Sequence, residues 1–299
     1  MKITVFADSG WDYTYVCEAD GEFPRQATFS SPGFKGANQA VAASRAGADV
    51  SVISLVGDDD IGRKVISNFK SQKVNADKVI TVKGRTTDKF IIWIDSNGDN
   101  KITGEPELYA LYTEELVGEH SELLKGSRFV ITNACLPTKF LKYLVDLCAV
   151  LGIDVIFTPC YDSARLPLGK DELEMLRKIK YITANEKESL RITNCSTIEE
   201  AVRKLPNLIA TKGAGGVYFM DGGKVVHLPA VPVEKVVDTS GAGDTFCGFF
   251  AASLAAGNDL VTSVKRGLVA ASLKIQKRGA QISMPTGDEV TLLASLTKI

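Results

Sequence analysis

The sequence predicts an α/β fold: a mostly parallel central sheet covered by helices on both faces, with a small β-sheet inserted as a lid. Three observations predict it. Short β-rich apolar runs alternate with amphipathic helical patterns along most of the chain, as βαβ units require. Two segments, 12–31 and 87–104, break that alternation with β-rich pieces of their own. Of the 299 residues, 45% are hydrophobic and no repeat or low-complexity linker divides them, so 1–299 reads as a single domain.

The elements follow in order. Strands are expected at Ile3–Ala7, Val50–Val56, Arg128–Thr132, Asp154–Thr158, Tyr181–Thr183 and Asn207–Thr211, each a short run rich in Val, Ile, Phe and Thr. Helical spacing recurs over Gly36–Ala46, Ile61–Ser71, Pro137–Leu151, Asp171–Lys178 and Glu186–Arg191. Val217–Met220 and Lys224–Leu228 are joined through Asp221-Gly222-Gly223, a hairpin signal. Two long helices should follow, Ala242–Ala256 and Leu260–Lys277. In the two interrupting segments, Tyr13–Cys17, Ala27–Ser30, Phe90–Ile94 and Lys101–Thr103 read as strands, the last two flanking a turn-rich tip at 95–100. A small sheet built from them would close over the carboxyl edge of the main sheet, where α/β sheets bind ligands.

The net charge of −1 and pI near 6.2 give no basic face for nucleic acid. No apolar run approaches the roughly 18 residues of a membrane span. Met1–Asp8 meets an acid at once and reads as a strand, not a signal peptide. The six cysteines form no CxxC pair and only two histidines exist, so a zinc site is not expected. They read as free thiols of a cytoplasmic protein.

Asp238-Thr239-Ser240-Gly241-Ala242-Gly243-Asp244 runs directly into an apolar helix. The first N–H groups of a helix lack internal partners and carry the positive end of the dipole. Gly241, Ala242 and Gly243 would let a phosphate approach them closely, while Asp244 could take a proton from a substrate hydroxyl. An ordinary helix cap has the same look. Pro32–Ala43 is a second glycine-rich helix entry, carrying Lys35 and Asn38. Asn185 and Glu188 lie three apart at a helix start, on one face. They can form a capping box or hold Mg²⁺ through water. Thr211-Lys212-Gly213-Ala214-Gly215-Gly216 leaves a strand and can wrap a nucleotide or turn the chain. No P-loop, Rossmann fingerprint or nucleophile elbow is present.

Taken in this order, these segments resemble the ribokinase-like, or PfkB, family of carbohydrate kinases over essentially the whole chain. The wording of Gly33–Ala40, continuing through Arg45–Ala48 to Val56–Asp59, is closest to ribokinases. The resemblance implies a three-layer α/β/α fold with a β-sheet lid, and transfer of the ATP γ-phosphate to a sugar or nucleoside hydroxyl. It implies Asp244 as base, Gly241–Gly243 as anion hole, and Asn185 with Glu188 for Mg²⁺ and phosphate placement. Thr211, Gly213 and Gly216 match the nucleotide loop, and Asp12, Gly33, Lys35 and Asn38 match sugar contacts. Asp238, Ser240, Gly279 and Ser283 match parts of a monovalent-cation site, which would take K⁺.

Three positions depart from the ribokinase pattern. Gly10-Trp11-Asp12 lacks an asparagine, Phe34 replaces a glycine, and Cys135 stands where a glutamate is common. These changes remove polar partners and add apolar bulk, which bears on acceptor selectivity. Trp11 and Phe34 can stack on a sugar or base, or pack beneath the lid. The acceptor is left open between a sugar, a nucleoside and a phosphosugar, with Arg25, Lys83, Arg85 and Lys89 as cations for the last. A non-catalytic sugar or nucleotide binder of the same fold is the remaining reading. Exposed lid strands would pair two protomers into a homodimer.

Overall fold

A computed structural model describes residues 2–17, 22–95, 100–104, 106–160 and 170–296. The main sheet contains β1 (Lys2–Phe6), β4 (Asp49–Gly57), β5 (Asn75–Val82), β8 (Ser127–Asn133), β9 (Asp154–Thr158), β10 (Tyr181–Asn185), β11 (Leu208–Thr211), β12 (Val217–Asp221) and β13 (Lys224–Leu228). Their order is β13-β12-β11-β10-β9-β8-β1-β4-β5. Every pairing from β11 across to β5 is parallel, and the β12–β13 hairpin closes one edge antiparallel.

Period-2 alternation assigns the strand side chains to two cores. Ile3, Val5, Phe129 and Ile131 face the helices Lys35–Arg45, Ala242–Ala255 and Leu260–Lys274, with Phe246, Phe249 and Phe250 buried between them. Phe6, Val130, Val155 and Phe157 face the other way, against the helices Thr138–Val150 and Ile198–Lys204. Two cores on opposite faces make this a three-layer α/β/α architecture.

The second sheet contains β2 (Gly10–Val16), β3 (Phe29–Gly33), β6 (Lys89–Ile94) and β7 (Asn100–Thr103), in the order β3-β2-β6-β7. The β2–β6 pair is parallel and joins the two interrupting segments to each other. Residues 96–99 of the expected tip lie outside the described residues. No helix among the described residues is long and apolar enough to cross a membrane.

The observed elements differ from the sequence reading at several points. Strand β5 was not foreseen: it is an edge strand whose Asp77 and Lys78 are exposed, which breaks the continuous apolar pattern of a central strand. The short helices Glu114–Glu119 and Ile198–Lys204 were also missed, although Thr113 and Thr197 cap them by accepting from Leu116 N and Glu200 N. A final helix, Gly287–Leu296, was not foreseen, and the helix expected over Leu260–Lys277 ends at Lys274. Just past its end, the Ile275 carbonyl accepts the N–H groups of Val237 and Asp238.

Candidate active site

All the parallel strands run the same way, so their carboxyl ends line one edge. There β1 delivers Asp8, β8 delivers Asn133, β9 Thr158, β10 Asn185 and β11 Thr211. Above this edge two helices begin. The Lys35–Arg45 helix brings Lys35, Asn38 and Gln39. The Ala242–Ala255 helix starts at Gly241, whose φ of 72° is open to glycine without strain, and places Asp244 in its first turn.

Asp244 is buried at 8% exposure. Asn38 donates from Nδ2 to its Oδ2 at 3.1 Å, and Gln39 from Nε2 to its Oδ1 at 3.2 Å. Burial raises the Asp244 pKa and Asp8 adds to that, while Lys35, Asn38 and Gln39 pull it back. The titratable groups facing it are Lys35, Asp8, Asp12, Lys274 and, on its own helix, Cys247. For Lys35, burial alone would lower the ammonium, but Asp244 and Glu188, with the Cys135 and Cys160 thiols, outweigh it and push it up. Lys35 therefore stays positive among carboxylates.

Behind Asn38 runs a chain of amides. Gln281 Nε2 donates to Asn38 Oδ1 at 3.0 Å, and Asn68 Nδ2 donates to Gln281 Oε1 at 2.8 Å. Gln281 is 3% exposed. An ionised carboxylate only accepts, so Asp244 turns the Asn38 NH₂ toward itself and thereby orients every amide behind it.

Acidic groups crowd the small-sheet side. Asp8 is buried and accepts from Gly36 N at 2.7 Å, Asn133 Nδ2 at 2.8 Å and the Tyr109 hydroxyl at 3.0 Å. Asp12 lies so close to Gly33 that a Cβ there would sit 1.9 Å from its Oδ2, which explains the glycine. Its Oδ1 is buried with no hydrogen-bond partner among the described residues. Burial first, then Asp8 and Asp244, raise the Asp12 pKa to about 7. An orphaned acceptor near Asp8 and Asp244 suits a ligand that brings hydroxyl donors.

Phe34 stacks on Phe90 of β6, with centroids 4.5 Å apart, and is buried. It packs beneath the small sheet, at a φ of 74° that is costly for a residue with a side chain. Trp11 points to the opposite face of β2 from Asp12, and the Lys64 ammonium lies 5.8 Å from its ring, so it does not join the cluster. Cys135 does join: its free thiol is hydrogen-bonded to that of Cys160, and this hydrogen bond, with burial and Asp8, raises its pKa well above the ordinary value.

On the other side of Asp244 a cavity of about 860 Å³ opens. It is lined by Lys35, Asn185, Glu188, Thr211, Gly213, Gly216 and Gly241–Asp244, bringing together the residues foreseen for phosphate and nucleotide. Val231, Phe246 and Leu268 make part of its wall apolar. Asn185 and Glu188 form the capping box: Oδ1 accepts from Glu188 N at 2.8 Å and Oε2 accepts from Asn185 N at 2.9 Å. Glu188 is 4% exposed yet lines the cavity. Asp238, Ser240, Gly279 and Ser283 also converge. Asp238 accepts from Ser240 N at 2.8 Å and Gly279 N at 2.7 Å, and Ser283 donates to the Gly279 and Ala280 carbonyls.

Asp8, Gln39, Asn68, Gln281 and Lys274 were missed. A signal did exist for Gln39: Asn38-Gln39 is a polar pair inside a helix otherwise of small apolar residues, and buried amides need partners.

The chain as a whole is similar to known proteins of one family. Residues 12–287 match the family described as pfkB family carbohydrate kinase. The ribokinase of Lactococcus lactis is 37% identical over 261 residues, covering 87% of this chain and 84% of the relative. That of Bacillus subtilis is 35% identical over 265 residues, covering 88% of each. Among solved structures, Arabidopsis thaliana ribokinase complexed with ribose and ATP superposes with a TM-score of 0.87 at 23% identity, over 99% of both chains. The Thermotoga maritima ribokinase gives 0.84 at 26% identity, again over 99% of both.

Proposed function

Because this chain belongs to the pfkB family of carbohydrate kinases, we propose that it transfers the γ-phosphate of ATP to a hydroxyl of a small sugar, with Asp244 as general base. One observation carries the reading. A buried carboxylate, held by Asn38 and Gln39, stands in the first turn of a helix between a nucleotide-sized cavity and a cluster of hydroxyl acceptors.

The sugar would lie among Asp12, Gly33, Lys35 and Asn38, its hydroxyls donating to Asp12 and Asp244. ATP would extend from Gly241–Gly243 to Thr211, Gly213 and Gly216. Transfer would then rest on positioning and electrostatics. Asp244 accepts the hydroxyl proton, and the raised affinity for protons that burial gives it favours that role. The N–H groups of Gly241–Gly243 and the Lys35 ammonium oppose the charge that develops on the phosphoryl group. Lone carboxylates suit Mg²⁺ when phosphates and water complete its shell, and Glu188 with Asn185 would hold it that way. When bound, Mg²⁺ supplies neutralisation of phosphate charge.

The two relatives above are ribokinases, which favours a pentose acceptor. A deoxyribokinase of Salmonella typhimurium, 27% identical over the full length of both chains, keeps deoxyribose beside ribose as a candidate. Ribose, deoxyribose, other sugars, sugar phosphates and nucleosides, each with Mg²⁺–ATP in an ADP-release assay, test the proposal. Turnover with a free sugar supports it. ATP binding without turnover across the panel would leave a binding protein instead. The single domain over 1–299 includes, in this reading, a lid formed by the small sheet, closing over the sugar. Its edge strand β7 exposes Ile102 at 52%, and two protomers would pair there, which sedimentation of the Ile102→Lys chain tests.

A further inference from the structure

Lys274 is a fully buried lysine, with 0% of its side chain exposed. Burying an ammonium is costly unless it is paired and hydrogen-bonded. Here Nζ donates to the Asp238 carbonyl at 2.7 Å and lies 3.9 Å from Asp238 Oδ1. Lys274 closes the Leu260–Lys274 helix, where the negative end of the dipole favours a cation. Burial lowers its pKa, while Asp238 and Asp244 hold it up.

This ammonium stands where the resemblance implies a monovalent cation. The Asp238 and Gly279 oxygens that such an ion would use already accept from the chain. The Asp238 carbonyl accepts Lys274, the Asp238 carboxylate accepts Ser240 N and Gly279 N, and the Gly279 carbonyl accepts Ser283. A second positive charge would meet the fixed one at close range in a buried setting. The residues present therefore do not fit a free K⁺.

We infer that the Lys274 ammonium is a built-in replacement for the monovalent cation behind the anion hole. It clasps Asp238, whose carboxylate pins the Ser240 and Gly279 backbone on either side of the turn leading into Gly241–Gly243. Its charge lies behind the site of the transferring phosphoryl group. Because it is covalently fixed, it is present at any salt composition. Lys274 acts through Asp238 and the turn, and is a positioning residue.

The inference rests on the phosphotransfer reading, so its test has an arm that does not. Melting temperature and ADP release are compared in potassium chloride and choline chloride at equal ionic strength, for the unaltered chain, Lys274→Ala and Lys274→Met. The unaltered chain should show the same melting temperature and turnover in both salts. Lys274→Ala should lose about tenfold or more of its turnover in choline and regain much of it in potassium, which should also raise its melting temperature. Lys274→Met, whose stem fills the space, should lose turnover without potassium rescue. Potassium activation or stabilisation of the unaltered chain overturns the inference, and that comparison stands even if neither variant folds. So does a folded Lys274→Ala as active in choline as the parent. Absence of ADP release with every acceptor in both salts would count against the kinase reading, while the melting arm still reports the cation.

Discussion

Gln281 donates to the Asn38 carbonyl oxygen, and that bond fixes which end of Asn38 faces Asp244. The chain begins at Asn68, on the surface-side helix Asp60–Ser71. Asn68→Asp would put an acceptor where a donor stands. Gln281 would then turn its NH₂ outward, and an oxygen of Asn38 or Gln281 would be left facing another oxygen. Asp244 would lose a donor that lowers its pKa, so the acid limb of kcat/KM should move to higher pH. Asn68→Ala, which removes the donor without adding an acceptor, should move it less. An unmoved acid limb in Asn68→Asp would show that the chain does not govern the base.

Asp244→Asn should keep the fold and nucleotide affinity, because the amide is isosteric and its oxygen can still accept from one of the two donors, Asn38 and Gln39, that the carboxylate meets through separate oxygens. Turnover should fall by roughly 10²–10⁴, the usual scale for a lost general base. Calorimetric titration of ATP beside steady-state rates separates the two effects.

Asp12 carries a folded pKa near 7 against an ordinary 3.8. A carboxylate raised in this way binds its proton more tightly when folded. Its contribution to stability is therefore lost as pH rises from about 4 through 7. Asp12→Asn should match the parent in melting temperature near the acid end of that window and exceed it above the upper end. Its KM for the sugar should rise at the same time, since the amide replaces a charged acceptor. A melting difference independent of pH would contradict the assignment.

The sequence made the carboxyl-edge site legible because its parts sit at glycine-rich strand-to-helix junctions, which local signals mark well. What it did not reveal are partners that meet only in space. Asn68 and Gln281 lie over 200 residues apart and belong to an amphipathic helix and an irregular loop. Nothing in the sequence sets Lys274 apart from any basic residue in a helix's last turn, and only its burial does so. Asp8 follows a strand without a motif, and its three donors come from three separate segments. For Trp11 the sequence left stacking on a ligand and packing beneath the lid open, because a one-residue choice of strand face cannot be made before the sheet's register is known.

Phe34 sets two effects against each other. Removing a buried phenylalanine ring costs about 3–5 kcal/mol, while relieving its positive φ returns about 1 kcal/mol. Burial wins, so Phe34→Gly should be less stable than the parent. It should still be more stable than Phe34→Ala by about 1 kcal/mol, because alanine keeps a Cβ at the same φ. Urea unfolding of the three chains checks the order, which agrees with the preference for glycine over alanine at an N-cap, the position Phe34 holds.

The parallel β2–β6 pairing has a consequence for biosynthesis. Trp11 meets Lys89, about 80 residues later. At ribosomal speeds of about 5–20 residues per second, β2 waits about 4–16 s for this neighbour. Through that interval Trp11, Tyr13, Tyr15 and Val16 form an aromatic, β-prone segment whose one edge lacks its strand. The nascent chain is then most exposed to misassociation with its neighbours on the same message, and synonymous codons that slow translation between residues 17 and 89 should lower the soluble yield.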